Sequence, residues 1–293
     1  MRIWLMAARP RTLPAAIAPV LVGTAAAVER IGELPRPGGF LAALAGSIFI
    51  QIGTNLANDY SDAKRGADTA DRLGPVRVTS AGLVAPRRVL VATYVAFAIA
   101  VTCGLYLAAL AGPAILLIGA VSIAAGVLYT GGPRPYGYAG LGEVFVFLFF
   151  GLVAVNGSYY VQLEEIEALP IGLSISIGFL ATAILVVNNV RDMETDRRVG
   201  KTTLAVRIGR ARAVALYRLL VLGAFAVLPI ALLAGDGSML PLVGLAALPL
   251  AVPPLRTVSN RTDGPSLNGA LAATGALLGV FSLLVSAGLL IAA

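Results

Sequence analysis

Two short polar stretches stand out from a chain that is otherwise apolar. The first, Asn55 to Arg77, reads NLANDYSDAKRGADTADRLGPVR. Asp59 and Asp62 are three apart and share one face if a helix runs through them, with Asn55 and Asn58 on the same turn. Asp68 and Asp71 follow in a loop-like segment, mixed with Lys64, Arg65, Arg72 and Arg77. The second stretch, Asn188 to Arg210, holds Asp192 and Asp196 four apart on one helical face, after Asn188 and Asn189 and before Arg197, Arg198 and Lys201. Both follow one order: Asn, spaced Asp, then a basic tail. Oxygen ligands interleaved with cations suit a hard divalent cation such as Mg²⁺ holding an anionic group such as a diphosphate.

The elements that must position these residues are membrane spans. The chain is 58% hydrophobic and 13% charged, with a mean hydropathy of +0.88. Apolar runs of roughly 17–25 residues are read as spans. Nine can be placed: Leu13–Val28, Gly39–Tyr60, Val89–Leu110, Pro113–Tyr129, Leu141–Val161, Ile171–Val190, Ala213–Leu233, Leu240–Leu255 and Gly269–Ala292. The eighth is the weakest, broken by Pro241, Pro249, Pro253 and Pro254. Short connections imply a single domain over residues 1–293: an all-α polytopic membrane bundle of about nine transmembrane helices. The start of the chain reads as a retained first span, because Pro14 and Pro19 interrupt the apolar core that a cleaved signal would need. The two Asp stretches lie four spans apart in the same orientation, so a parallel pseudo-repeat would set them opposite one another.

Charge sets the topology. Of 22 Lys and Arg, all but Arg30 and Arg36 fall on the side of the two Asp stretches, and Glu164, Glu165 and Glu167 mark the other side. This positive-inside pattern puts the N-terminus and both stretches on the cytoplasmic face of the cell membrane. It also attributes the net charge of +7 to the lipid bilayer as partner, with no nucleic acid. Arg9 and Arg11 read as inner-face anchors, with a phosphate contact as the alternative. The chain has no histidine, which excludes histidine-based acid–base chemistry, histidine metal ligation and Ser-His-Asp triads. Its single cysteine, Cys103, sits inside a span and has no partner for an intramolecular disulfide.

Several other residues are weighed against blander roles. YTGGPRPYGYAGLGE, Tyr129 to Glu143, is glycine-rich but lacks the G-x-x-x-x-G-K-[ST] pattern and a preceding strand, so it reads as a tight link between spans four and five. Within it, Arg134 is a lone cation facing the Asp stretches. Tyr129, Tyr136 and Tyr138 are either interfacial anchors or pocket lining, and Glu143 is equally open. Asn156, Ser158, Tyr159, Tyr160 and Gln162 read as interhelical polar contacts, and Asn268 as a helix cap. For Asp59 and Asp62 the alternative is a solvated loop. They continue directly from apolar helix, however, and a carboxylate at such depth is expensive and functional by default.

A charged mouth above an apolar bundle matches a ligand with a charged head and a hydrocarbon tail, a lipid diphosphate. Carboxylate-held Mg²⁺ can bridge to the diphosphate, and Arg and Lys can stabilise the departing charge. An allylic diphosphate would ionise, and an electron-rich aromatic ring could capture the cation. The rival class is a secondary transporter with Asp ion sites. Such sites lie near mid-bilayer in broken helices, whereas these acids lie at one membrane edge beside cations.

With ARPRT at Ala8–Thr12, NLANDYSDAKRGAD at Asn55–Asp68, DRLGPVR at Asp71–Arg77, the Tyr129–Glu143 link and NNVRDMETDRRVGKTTLAVRIG at Asn188–Gly209, the chain resembles the UbiA superfamily of intramembrane prenyltransferases. Within it, the chain is most similar to the branch that prenylates 1,4-dihydroxy-2-naphthoate in menaquinone biosynthesis. The resemblance implies transfer of a polyprenyl group from polyprenyl diphosphate to that aromatic acceptor, with loss of CO2 and diphosphate, giving a demethylmenaquinone. Hydroxybenzoate and homogentisate are the alternative acceptors within the superfamily. The resemblance further implies that Asn58, Asp59, Asp62, Asp192 and Asp196 bind Mg²⁺ and diphosphate, with Asp59, Asp62, Asp192 and Asp196 catalytic. Arg65, Arg134 and Lys201 would be diphosphate contacts. Asn55, Asp68, Arg72, Arg77, Tyr129 and Asn188 complete the substrate-binding set, Arg72 or Arg77 pairing with the acceptor's carboxylate. The wider superfamily often has a third aspartate where this chain has Gly66, and often a lysine in the link that here carries Arg134.

Overall fold

The computed structural model describes residues 2–67, 73–235 and 237–293; Asp68, Asp71 and Arg72 lie outside the described residues. Among the described residues every regular element is helical. Eight helices among the described residues are long and apolar enough to cross a membrane: α1 Pro14–Ile31, α2 Pro37–Lys64, α3 Pro86–Ala111, α5 Gly142–Leu163, α6 Ala168–Arg198, α7 Arg210–Ala234, α8 Leu240–Asn260 and α9 Gly264–Ala292. The remaining expected span, α4, is shorter, Ala114–Leu128, because Gly112–Pro113 and the Gly131–Gly132 pair close it at both ends. Short helices at Arg2–Ala8 and Leu204–Ile208 flank the bundle.

Proline starts and glycine stops account for most helix limits. Pro14, Pro37 and Pro86 each sit in a first turn, where the missing N–H costs nothing. At Gly32, φ 86 lets its N–H reach back to Val28 O and end α1. Gly66, φ 66, does the same work after α2. That left-handed conformation is strained for an aspartate, a physical reason why the acidic series on α2 stops there. The ninth span begins five residues earlier than hydropathy placed it, at Gly264. Its cap is Asp263, whose carboxylate accepts from Ser266 N at 2.9 Å and is thereby held below its ordinary pKa. Asn268 is therefore not the cap and is used elsewhere.

The proline-broken eighth span survives by changing its winding. Its first part, Leu240–Ala251, is a 3-10 helix, and Val252–Asn260 is α-helical with proline in the first turn. At about 2.0 and 1.5 Å rise per residue this composite spans roughly 37 Å, more than an all-α helix of equal length. A second irregularity falls in α5, where Phe147–Val153 is π-helical against α6.

Packing is lopsided. One continuous core joins α1, α5, α6, α7, α8 and α9 through residues such as Tyr159, Leu173, Leu180, Leu228, Leu277 and Phe281. Helices α2, α3 and α4 contribute only two small clusters, one around Leu56, Val78 and Val89, the other around Leu107, Ile115 and Val161. α4 packs against α2 and α3 but hardly touches α5. Between the dense half and the thin half lies a cavity of about 360 Å³. At the end away from both Asp stretches, Arg30 pairs with Glu167 at 2.9 Å, Arg36 pairs with Glu164, and Gln162 accepts from Arg36 N at 2.9 Å. The expected acidic loop and its two cations thus close that end together.

The close approach of α5 and α6 depends on glycine. A Cβ on Gly151 would lie 2.7 Å from Gly178 Cα and from Ser174 O, both backbone atoms that cannot swing aside. Gly157, on the same helix, has nothing within 4 Å. Gly151→Val is expected to destabilise the protein by about 1–3 kcal/mol, read as a lower melting midpoint in detergent. Gly157→Ala should stay within about 0.5 kcal/mol of the parent.

Candidate active site

The cavity is polar at one end and apolar below it. The mouth is lined by Asn55, Asn58 and Asp62 of α2, Asn188, Asn189, Asp192 and Asp196 of α6, and Arg77 and Lys201 from the connections that follow those helices. Below it run Tyr129, Tyr136, Phe145 and Phe149, then small and aliphatic side chains down to Ala43, Leu107, Ile115 and Val161. The wall on α2 from Asp62 to Ala43 is about 28 Å long at 1.5 Å per residue, close to the hydrocarbon thickness of a bilayer.

Asp62 is the junction of the mouth. It is 1% exposed, and its carboxylate accepts from three connections at once. Tyr138 OH donates to Oδ1 at 2.8 Å, and Arg77 Nη2 and Lys201 Nζ each donate to Oδ2 at 3.2 Å. Lys201 also stands 4.7 Å over the Tyr138 ring. The tail of the second Asp stretch therefore meets the aspartate of the first, as a facing arrangement requires. Asn58 on the preceding turn accepts from Thr130 Oγ1 at 2.8 Å, and Asn55 donates to Ala8 O at 3.1 Å, tying the N-terminal ARPRT segment to α2.

On α6, Asn188, Asp192 and Asp196 repeat every four residues, and all three line the cavity. Arg191 forks onto Asp192, Nε to Oδ1 at 2.8 Å and Nη2 to Oδ2 at 2.6 Å, and also donates to Asn188 Oδ1 and Asn268 Oδ1, each at 2.8 Å. Asn268 in turn donates to Leu73 O at 2.8 Å, so this network reaches the connection after α2. Asn189 donates to Glu143 Oε1 at 2.8 Å, which gives the buried Glu143 a structural partner on α6.

Asp59 and Asp62 do not face the same way. Asp59 is 2% exposed and turned away from the cavity lining; its two oxygens accept the backbone N–H groups of Val78 and Thr79, each at 3.0 Å. At about 100° per residue, Asp62 lies about 40° round the helix from Asn58 and Asp59 about 100°, just outside the lining stripe. Arg65 is exposed and donates to Gly132 O, and Arg134 is exposed; neither lines the cavity. The Tyr129–Glu143 link reaches the acids through Tyr138 instead. Among the described residues no three acidic side chains gather into a ready-made metal cluster.

An aromatic row lies directly below the acids. Tyr129 meets Tyr136 edge-on at 5.5 Å, Tyr136 stacks on Phe145 at 4.0 Å, and Phe145 lies 6.1 Å from Phe149. Burial pushes the Tyr136 phenol, in the link, above its ordinary pKa.

Thr130, Arg191 and Asn268 are polar members of this network that sequence reasoning does not assign to the site, and Tyr138, open there between anchor and pocket lining, is at the site. Arg191 had a signal, a cation inside the second Asp stretch; Thr130 had none, since a threonine at a helix end is unremarkable.

A helical membrane bundle with an Asp-lined mouth over an aromatic shaft defines a class of intramembrane enzyme. The chain belongs to the UbiA prenyltransferase family, whose model matches residues 16–267, and it is a multi-pass membrane protein. It is 43% identical over 286 residues to the 1,4-dihydroxy-2-naphthoate octaprenyltransferase of Mycobacterium tuberculosis, covering 98% of this chain and 96% of that one. It is 38% identical over 283 residues to the protein of the same name in Escherichia coli, covering 94% and 91%. A UbiA homolog from Archaeoglobus fulgidus bound to GPP and Mg²⁺ shares the fold, with a TM-score of 0.70 at 17% identity over 98% of this chain and 99% of that one. The apo UbiA homolog from Aeropyrum pernix K1 gives 0.70 at 14% identity, over 94% and 97%.

The Arg191–Asp192 pair sits almost wholly out of solvent, with side chains 1% and 6% exposed. Removing the cation leaves a buried carboxylate without its fork, so Arg191→Met is expected to cost about 3–5 kcal/mol of stability. Arg191→Lys should recover only part of it, because an ammonium cannot reproduce the planar fork. Denaturation midpoints of the three proteins in one detergent check this.

Proposed function

We propose that the protein is a Mg²⁺-dependent prenyltransferase acting as one domain over residues 1–293. It moves a polyprenyl group from polyprenyl diphosphate to 1,4-dihydroxy-2-naphthoate, with loss of CO2 and diphosphate, giving a demethylmenaquinone. The observation that carries this reading is the single cavity in which both Asp stretches meet over an aromatic and then aliphatic shaft. The names of the relatives at 43% and 38% identity support the same acceptor.

The donor set fits the metal. Mg²⁺ keeps several waters and takes one or two carboxylates together with substrate phosphates, rather than an all-protein cage. A mouth with Asp62, Asp192 and Asp196, the amide oxygens of Asn58 and Asn188, and no three-acid cluster among the described residues offers such partial ligation. When bound, the metal neutralises charge on the leaving diphosphate.

The remaining work falls to this chain's own residues. Lys201, held ready on Asp62, stabilises the diphosphate as it leaves with the bonding electron pair. Arg65 and Arg134 at the rim draw the diphosphate head in from the aqueous side. Asp68 and Arg72 belong to the same substrate-binding segment in this reading. The ring faces of Tyr129, Tyr136, Phe145 and Phe149 shield the allylic cation and attract it electrostatically until the acceptor ring attacks. Arg77, which lines the cavity, is the candidate partner of the acceptor's carboxylate. The excess of cations at the mouth end supports an N-terminus and mouth on the cytoplasmic side of the cell membrane.

In proteoliposomes with Mg²⁺, polyprenyl diphosphate and dihydroxynaphthoate, prenylated product and diphosphate are expected, and both should vanish on chelation. Asp62→Asn and Asp192→Asn should each lower kcat/KM by about 10²-fold or more, as loss of a group acting on developing charge does. Turnover with hydroxybenzoate or homogentisate alone would move the acceptor. Unchanged turnover in both variants would remove the site.

A further inference from the structure

The first Asp stretch divides its labour, and the geometry points to Asp59 as a positioning residue rather than a metal ligand: through the Val78 and Thr79 amides, it seats Arg77 on Asp62. The cavity-lining side chains of α2 recur every three to four residues, from Ala43 through Gly46, Ile50 and Thr54 to Asn58 and Asp62. Asp59 lies about 100° round the helix from Asn58, outside that stripe. Asp59 is about 60° from Asp62 on the wheel, yet on this turn only Asn58 and Asp62 line the mouth where a metal would sit.

The oxygens of Asp62 and Asp192 are held by side-chain donors at the cavity, whereas those of Asp59 are held by backbone amides, away from the cavity lining. Each Asp59 oxygen takes one backbone N–H at 3.0 Å, in a place where the carboxylate is 2% exposed, Val78 is fully buried and Thr79 is 8% exposed. Two adjacent buried amides converging on one carboxylate form a charge-assisted clamp, and swinging Asp59 to a metal would orphan both donors. The clamped residues open a tight turn in which Ala81 N bonds Arg77 O and both Leu83 N and Val84 N bond Val78 O. Val78 plugs the turn into the cluster of Ala7, Leu56 and Val89. The residue immediately before the clamp is Arg77, 8% exposed, with its guanidinium 3.2 Å from Asp62. Fixing Val78 and Thr79 therefore fixes where the Arg77 side chain leaves the backbone.

The test uses the full chain in detergent and reads the clamp directly. Amide exchange is followed in the peptide spanning residues 76–84 for the parent, Asp59→Ala, Asp59→Asn and Asp62→Asn. Asp59→Asn keeps the volume and one acceptor oxygen, which provides a folded variant if alanine does not yield one. Exchange at Val78 and Thr79 is expected to quicken at least tenfold in Asp59→Ala, and at one of the two amides in Asp59→Asn. It should stay at the parent rate in Asp62→Asn. Mn²⁺ titrated by electron paramagnetic resonance in the presence of inorganic diphosphate should bind Asp59→Asn within twofold of the parent and Asp62→Asn at least tenfold more weakly. In turnover, Asp59→Ala and Arg77→Ala should raise the same KM, and the double variant should be no worse than Arg77→Ala alone. Parent-like exchange in both Asp59 variants overturns the proposal, as does a loss of Mn²⁺ affinity in Asp59→Asn that matches Asp62→Asn. The metal and turnover arms rest on the prenyl-transfer reading. The exchange arm needs neither metal nor substrate, so its failure is distinct from failure of that reading.

Discussion

The mouth of this bundle depends on one buried carboxylate. Withdrawing Asp62 from water costs several kcal/mol unless charge and hydrogen bonds return it, and three separate connections supply them. Arg77 comes from the segment after α2, Tyr138 from the α4–α5 link and Lys201 from the segment after α6. None of these is near Asp62 in sequence except Arg77. Satisfying one side chain thus folds three loops over one point, which closes the polar end of the cavity and aligns the two Asp stretches across it. The same cations are the ones the two substrates would recruit, so structure and proposed chemistry draw on one set of charges.

The uneven packing serves that mouth. A dense half built from α1 and α5–α9 carries most of the buried apolar side chains, including α6 with its Asn188, Asp192 and Asp196 series. The thinner half, α2–α4, carries Asp62 and leaves α4 and α5 almost without mutual contact. An apolar shaft between a rigid wall and a thin one has room for a hydrocarbon chain without sacrificing the core that holds the second motif. In the π-helical turn of α5, Phe147 lies against Phe179 of α6 while Phe149 and Phe150 line the shaft.

Much of this was legible from residue types alone. Long apolar runs announce spans because an unpaired backbone cannot sit in lipid, and the Asn-then-Asp order marked both walls of the mouth before any fold was known. What spacing could not tell was direction. Asp59 and Asp62 are neighbours on a helix, yet one faces a turn and the other a cavity, and only the position of Val78 and Thr79 decides between them. Arg134 has the charge expected at the site but points outward, while Tyr138, four residues on and formally neutral, makes the contact. Asn268 reads as a cap from its place at a span's edge; the helix starts earlier, which frees it to bridge Arg191 and Leu73 O. Partners across the bundle are chosen by tertiary geometry, and a single sequence carries little of that.

The central claim is that the mouth binds metal and diphosphate as one unit, because no described trio of acids suffices for the metal alone. The most direct measurement is Mn²⁺ affinity of the intact protein with and without an unreactive polyprenyl thiodiphosphate. The account predicts that the analogue tightens Mn²⁺ binding at least tenfold, and that Mn²⁺ tightens the analogue by the same factor, as linkage requires. Equal Mn²⁺ affinity in both conditions, or tight analogue binding that ignores the metal, would contradict it.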